Sequence, residues 1–226
     1  MVNACGANEG LNEFVLFTTT TVGTAGDYTL YYGDNSTPSL GLPVNILAGA
    51  NATLPNGTGT ITSTNGCIIN QVTSPATAIP ANSTVLFIPS NFDANYDVTA
   101  ICATGKVYVV YIDISSLPSV WNAAGMFANN SFTTGYLQIT NAATMCTSDI
   151  RSYDNNWTTD IDGNAVWWDA SGNENYTNRG CSTIAPAVTI TNVLALPVCA
   201  GNTTTNASYS TSGNPNEYTL VWDAAA

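Results

Sequence analysis

Residues 154–176, DNNWTTDIDGNAVWWDASGNENY, hold the densest set of groups that could do chemistry. Asp160, Asp162 and Asn164 offer hard oxygen donors at alternate positions of DIDGN, and such donors suit calcium. Glycine comes fourth in this stretch instead of sixth, and position twelve is Ser171 instead of glutamate, so it is not an EF-hand loop. A calcium ion held there would occupy a different kind of site, with a backbone carbonyl completing the set. Asp160 and Asp162 could also be paired as the two acids of a glycosidase, but aspartates beside Gly and Asn more often form turns. Trp157 and Trp168 could stack on a sugar ring, making a glycan the ligand. Trp167 and Trp168 are adjacent, so in a strand they point to opposite faces and only one can face outward. The plainest reading is strand, DG turn, strand and turn, with the tryptophans mainly supplying core.

Other chemistries are closed by composition. The chain has no histidine, which removes Ser-His-Asp and Cys-His nucleophiles. Three cations, Lys106, Arg151 and Arg179, stand against fifteen acids, for a net charge of −12. Nucleic acid is not expected as a partner, because phosphate binding needs clustered Lys and Arg. An anionic membrane surface is disfavoured for the same reason. Lys106 has a solvated strand-end position as its plain role. A lysine among so many asparagines also raises an internal Lys–Asn isopeptide bond, which would need that lysine buried beside an acid. No catalytic residue is assigned, and the protein is expected not to be an enzyme.

The six cysteines (Cys5, Cys67, Cys102, Cys146, Cys181 and Cys199) include no CxxC pair. Even in number and widely spaced, they read as disulfides, not as a zinc site. Cys146 with Cys181 is the preferred pair, since it would clamp both flanks of residues 154–176. A loop of that size is worth roughly 3–4 kcal/mol in the chain-entropy model. Disulfides imply an extracellular or cell-surface home. The opening MVNACGANEG has no basic n-region and no apolar h-region, so an export signal would lie outside these residues, and the chain is expected to continue in both directions. No apolar run approaches the roughly 20 residues of a membrane span.

The elements that must position these groups read as strands. Residues 12–18 (NEFVLFT), 27–33 (DYTLYYG), 83–89 (STVLFIP), 106–114 (KVYVVYIDI), 136–140 (YLQIT), 149–154 (DIRSYD) and 164–170 (NAVWWDA) are rich in aromatic and β-branched residues bounded by turn formers. Residues 187–196 (AVTITNVLAL) and 217–223 (EYTLVWD) follow. This pattern predicts an all-β, immunoglobulin-like antiparallel β-sandwich with disulfides and very little helix. The best helix candidate is SSLPSVWNAAG, with Ser116 as cap and one or two turns at most. Residues 41–66 read as the loosest part, a long loop or peripheral hairpin. A boundary is expected near residue 183, giving a β-sandwich module over 1–183. Residues 184–226 then either add strands or open a following module.

The segments CGANEGLNEFVLFTT, IPANSTVLFIPS, YDVTAICATGKVYVVY, GMFAN, CTSDIRSYD, DGN and NYTNRGC resemble, in this order, a module of large secreted proteins of Bacteroidota. Those proteins often carry type IX secretion sorting tails and gliding-motility-associated regions. The pattern is also distantly similar to a lamin-tail domain. The likeness spans about Cys5 to Cys181. It implies a secreted or cell-surface structural module, adhesive in character, with no catalytic residues to transfer. Its partners would be a glycan or surface protein and the neighbouring domains of its own chain. PVCAGNT resembles the opening of a PKD-like repeat, which implies that Cys199 pairs elsewhere and leaves an odd thiol. A carbohydrate-binding module attached to a secreted enzyme, or a subunit of an extracellular β-rich filament, are the alternatives.

Overall fold

The computed structural model describes residues 9–34, 44–64, 66–102, 105–117, 121, 134–154, 163–168 and 172–178. A single helical turn, α1 (Glu9–Asn12), leads into β1 (Val15–Thr18), β2 (Gly23–Thr24), β3 (Tyr28–Asp34), β4 (Val44–Ile46) and β5 (Thr60–Thr62). Then come β6 (Ile68–Val72), β7 (Ala78–Ile79), β8 (Thr84–Pro89), β9 (Asn95–Asp97) and β10 (Lys106–Ile112). The series ends with β11 (Thr134–Asn141), β12 (Cys146–Thr147), β13 (Arg151–Asp154), β14 (Asn164–Trp168) and β15 (Glu174–Asn178).

Two sheets face each other in an all-β sandwich. The first has the order β1-β8-β10-β6 and the second the order β12-β11-β3-β4, with β13 also on β11. Val15, Val72, Val85, Phe87, Val110 and Ile112 of the first sheet meet Tyr28, Leu30, Tyr32, Ile46, Leu137 and Tyr153 of the second in one buried cluster. Phe17 packs against this cluster, with its ring 5.0 Å from Phe87 and 5.5 Å from Tyr28.

One expectation is corrected here: the first sheet is mixed. β1 and β8 are antiparallel, but β8, β10 and β6 run parallel, with Val107 opposite Thr84 and Lys106 opposite Ile68. The physical reason is burial on both faces. Leu86, Ile88, Val107, Val109 and Tyr111 turn away from the second sheet into another cluster, roofed by Phe92, Tyr96, Val98 and Ile101. All six residues of β8 are buried. Parallel strands sit where both faces are covered, and their sequences are apolar runs without alternation. STVLFIP and KVYVVYIDI have that form.

The roof is anchored by Asn12. Its side-chain carbonyl accepts from the backbone N–H of Asp93 (3.0 Å) and Ala94 (2.8 Å), its amide donates to the Asp93 carboxylate, and Tyr96 donates its hydroxyl to the Asn12 backbone carbonyl. Residues 41–66 are less loose than expected. β4 pairs with β3, β5 pairs with β9, and Ile46 and Ala48 are fully buried. Gly49 lies so close to the backbone carbonyls of Ala25 and Tyr28 that a Cβ would overlap both. At the start of the helix candidate the chain makes a 3-10 turn, Ile114–Ser116, capped by Asp113 accepting from the Ser115 N–H at 3.0 Å, and Ser116 belongs to that turn instead of capping a helix at Leu117, whose backbone is extended. Residues 118–120 and 122–125 of that candidate lie outside the described residues.

Cys67 and Cys102 form a disulfide with Cα atoms 6.0 Å apart. They sit just ahead of β6 and shortly before β10, so the bond ties together the leading ends of two parallel neighbours. The domain boundary near residue 183 lies outside the described residues.

Candidate ligand cleft at the open edge of the sandwich

β1 is the last strand of the first sheet on its side among the described residues. Past its outer edge the two sheets do not fill the space between them. A cleft of about 310 Å³ results. Leu16, Phe17, Tyr28, Leu137 and Ile139 form its apolar part, and Thr18, Thr19, Thr20, Thr21, Gln138, Thr140, Asn141, Thr147 and Ser148 supply neutral hydroxyls and amides. Cys146, Asp149, Arg151 and Trp168 complete the lining.

The far wall is shaped by a bulge. β11 pairs with β12 through Asn141 opposite Cys146, then with β13 through Leu137 opposite Arg151, and the register slips by one residue between them. One extra residue on one strand bends it and re-aims its side chains, a device common beside binding sites. Ser148 stitches the bulge to β11: its N–H donates to the Ile139 carbonyl (2.9 Å), its hydroxyl accepts from the Ile139 N–H (3.0 Å), and its carbonyl accepts from the Gln138 amide (2.9 Å). Asp149 follows and meets Arg151 at 3.3 Å. That pair is largely solvent-facing and contributes at most about 1 kcal/mol. Its effect is to make this end of the cleft close to neutral.

At the other wall, Thr19 is buried. Its hydroxyl donates to the Pro80 carbonyl (2.8 Å) and accepts from the Ser83 N–H (2.9 Å). Tyr28 donates to the Thr21 carbonyl at 3.3 Å. Burial pushes the Tyr28 phenol above its ordinary value; the Asn141 hydrogen bond works against that and the nearby Asp27 charge adds to it.

The residues expected to carry function are only partly gathered here. Trp168 lines the cleft, but it shares with Val166 the side of β14 that packs on the inter-sheet core. Its ring stands edge-on to Tyr153 at 6.3 Å, and its indole N–H donates to the Ser152 carbonyl at 3.0 Å. The neighbouring Trp167 is half-buried on the other face. Asn164 starts β14 and is buried, opposite Asn178 of β15. Gly163 of the DGN turn has φ 81°, the left-handed conformation that the turn reading requires. Trp157, Asp160 and Asp162 lie outside the described residues. Among the described residues no three His, Cys, Asp or Glu side chains converge on a metal position. Cys146 is disulfide-bonded, to a cysteine outside the described residues, where Cys181 also lies. Lys106 is exposed at the head of β10, whereas an isopeptide bond needs a buried lysine.

The sequence reading missed the cleft itself. Its signals were the run FTTTT after an apolar strand and the small CTSD segment that forms the bulge; neither is a recognised motif.

Fold and site together define a disulfide-stapled, all-β sandwich with a neutral, hydroxyl-rimmed cleft beside β1, an edge strand among the described residues. No protein-family model, curated protein or solved structure matches the chain.

Proposed function

We propose that the protein is a non-catalytic structural and adhesive module of a secreted or cell-surface multidomain protein. The observation that carries this reading is the Cys67–Cys102 disulfide, since such bonds persist in oxidising compartments and are rare in the cytosol. The core supports it: two buried clusters share the first sheet, so the strands form a rigid scaffold. A polar surface built from Thr, Asn and Ser, with 8% charged residues, suits contact with neutral polymers or protein surfaces. The ordered segments that resemble secreted Bacteroidota modules point the same way. No helix among the described residues is long and apolar enough to cross a membrane.

The test is protease shaving of intact cells that produce the protein, followed by mass spectrometry. Peptides of this chain released from the surface or found in the medium are expected. Recovery solely from the cytosol, with Cys67 open to alkylation, would defeat the reading.

Carbohydrate binding is the second reading, favoured by one feature, the neutral hydroxyl and amide rim beside Trp168. A glycan array should then give a signal that Trp168→Ala abolishes. A silent array removes this reading and leaves the first in place.

A further inference from the structure

We propose that the outer edge of β1 is a docking strand: an extended segment of another protein, apolar at alternate positions and free of acids, adds beside it and fills the cleft. This names the contact behind the adhesive role proposed above and rests on that reading.

The edge supplies the main-chain bonds. Thr19 donates its N–H to the Ser83 carbonyl and its own carbonyl accepts from the Asn82 N–H, both toward β8. An antiparallel ladder alternates, so Val15 and Phe17 also bond toward β8, while the peptide groups of Leu16 and Thr18 turn outward. The cleft runs along that outward side. Leu16 packs on the roofed face of the first sheet and Phe17 on the inter-sheet face, yet both line the cleft, so it wraps around the edge of β1. Among the described residues no strand pairs with β1 there. Such an edge is a template for one more strand.

The trough beneath supplies the side-chain contacts. Phe17, Leu137 and Ile139 give it an apolar floor. A partner strand bonds to the edge through its main chain and sets alternate side chains on that floor. The margins fit the same kind of partner. Val22, Met145 and Ile150 are exposed large hydrophobic residues, and each adjoins the cleft in sequence. Val22 follows Thr21, Met145 precedes Cys146, and Ile150 stands between Asp149 and Arg151, all four of which line the cleft. The Thr21 and Thr144 hydroxyls, 3.4 Å apart, hold the first two of these loops together. Met145 is 89% exposed and has φ 54°, a conformation sterically costly for any residue with a Cβ. Outward-facing methionine suits adaptable protein-binding surfaces. A sugar would use the hydroxyl rim and leave Met145, Val22 and the apolar floor without a role.

Charge narrows the partner further. Among the described lining residues the charged ones are Asp149 and Arg151, which pair with each other at 3.3 Å. An uncharged segment enters without leaving an ion unpaired. The chain carries −12 overall, which repels acids in or beside that segment.

The experiment selects short peptides displayed on phage against the full chain, then follows one selected peptide, synthesised free, by nuclear magnetic resonance. Selected sequences should share apolar residues at alternate positions and lack Asp and Glu. The free peptide should slow solvent exchange of the Leu16 and Thr18 amides by about tenfold or more. The Val85 and Val109 amides in the sheet interior should not change. Thr18→Pro removes an outward N–H and leaves the β1–β8 bonds in place, so it should weaken the peptide roughly tenfold. Met145→Asn, which suits the left-handed backbone, should weaken it severalfold. A failed selection would overturn the proposal, as would a peptide that Thr18→Pro binds equally well. So would Leu16 and Thr18 amides already protected in the free chain, since the edge would then be covered by the chain itself. Protection that rises with protein concentration together with a dimer mass would assign the edge to a second copy, and amides that respond to a sugar but to no peptide would assign the cleft to a glycan; either result overturns it. If Thr18→Pro does not fold, exchange in the native chain decides alone: slowing of both amides by the peptide upholds the proposal and no slowing overturns it. A failed selection alongside peptides shaved from the cell surface would sink this contact and leave the exported module standing.

Discussion

Removing the Cys67–Cys102 bond should lower stability by an amount that follows from its place in the fold. The two cysteines are 35 residues apart in sequence and hold the leading ends of the parallel strands β6 and β10. Parallel neighbours cannot be joined by a tight turn, so this loop would be long and costly to close without the bond. The chain-entropy relation for a loop of this size gives about 4 kcal/mol. In a chain of this length each kcal/mol moves the melting midpoint by about 2–4 °C, so Cys67→Ser/Cys102→Ser should melt roughly 8–16 °C lower. Circular dichroism melts of both proteins measure the shift. Hydrogen exchange should place the first loss at β6, the outer strand of the described sheet, before β8. An unchanged midpoint, or loss that starts in β8, would refute the claim that the bond works by holding β6 to β10.

Gly49→Ala should cost about 1–3 kcal/mol, read as a lower urea midpoint, because the added carbon meets the backbone carbonyls of Ala25 and Tyr28, not a side chain that can move. Burial, with the Asp93 and Glu13 charges, holds the Tyr96 phenol well above its ordinary range, and burial also raises Tyr28 and Tyr111. The folded state therefore favours the neutral phenols. Their contribution is complete below the unfolded value near pH 10 and is lost as pH climbs from there toward the folded values. Denaturant midpoints should stay level from pH 7 to 9 as far as the phenols govern them and fall above about 10. Tyr96→Phe should flatten that fall and cost about 1–3 kcal/mol at neutral pH, as the buried Asn12 carbonyl loses its donor. If Asp160, Asp162 and Asn164 hold calcium, a chelator should lower the melting midpoint; an identical melt with and without it removes that site.

The strands were legible because each is an aromatic and β-branched run between turn formers: β1, β8, β10, β13 and β14 fall inside the segments read from sequence, while β3 runs one residue past its segment and β11 extends beyond its segment at both ends. The parallel course of β8 and β10 was written in the same residues. VLFI and VYVVYI carry apolar groups on both faces, a pattern that fits strands covered on two sides better than the half-exposed strands of a simple sandwich. The fold of residues 44–62 was hidden because β4 and β5 are three residues each and their alternation is too short to register. The Cys67–Cys102 pair could not be chosen from spacing, since it depends on two strands meeting after a long crossover. The cleft was the least legible feature. It is made by what lies past an edge and by a one-residue slip between β12 and β13, and neither leaves a periodic trace. Trp168, read from sequence as a sugar-stacking ring, lines the cleft as part of its wall: its ring packs on Tyr153 and its N–H is taken by the Ser152 carbonyl.

The most direct test is a peptide map of the protein taken from cells that produce it, alkylated and digested without reduction. The fragments holding Cys67 and Cys102 should appear as one linked species that separates only after a reductant is added. Finding both cysteines alkylated as free thiols would contradict a sandwich stapled across β6 and β10 and, with it, the exported setting proposed for this chain.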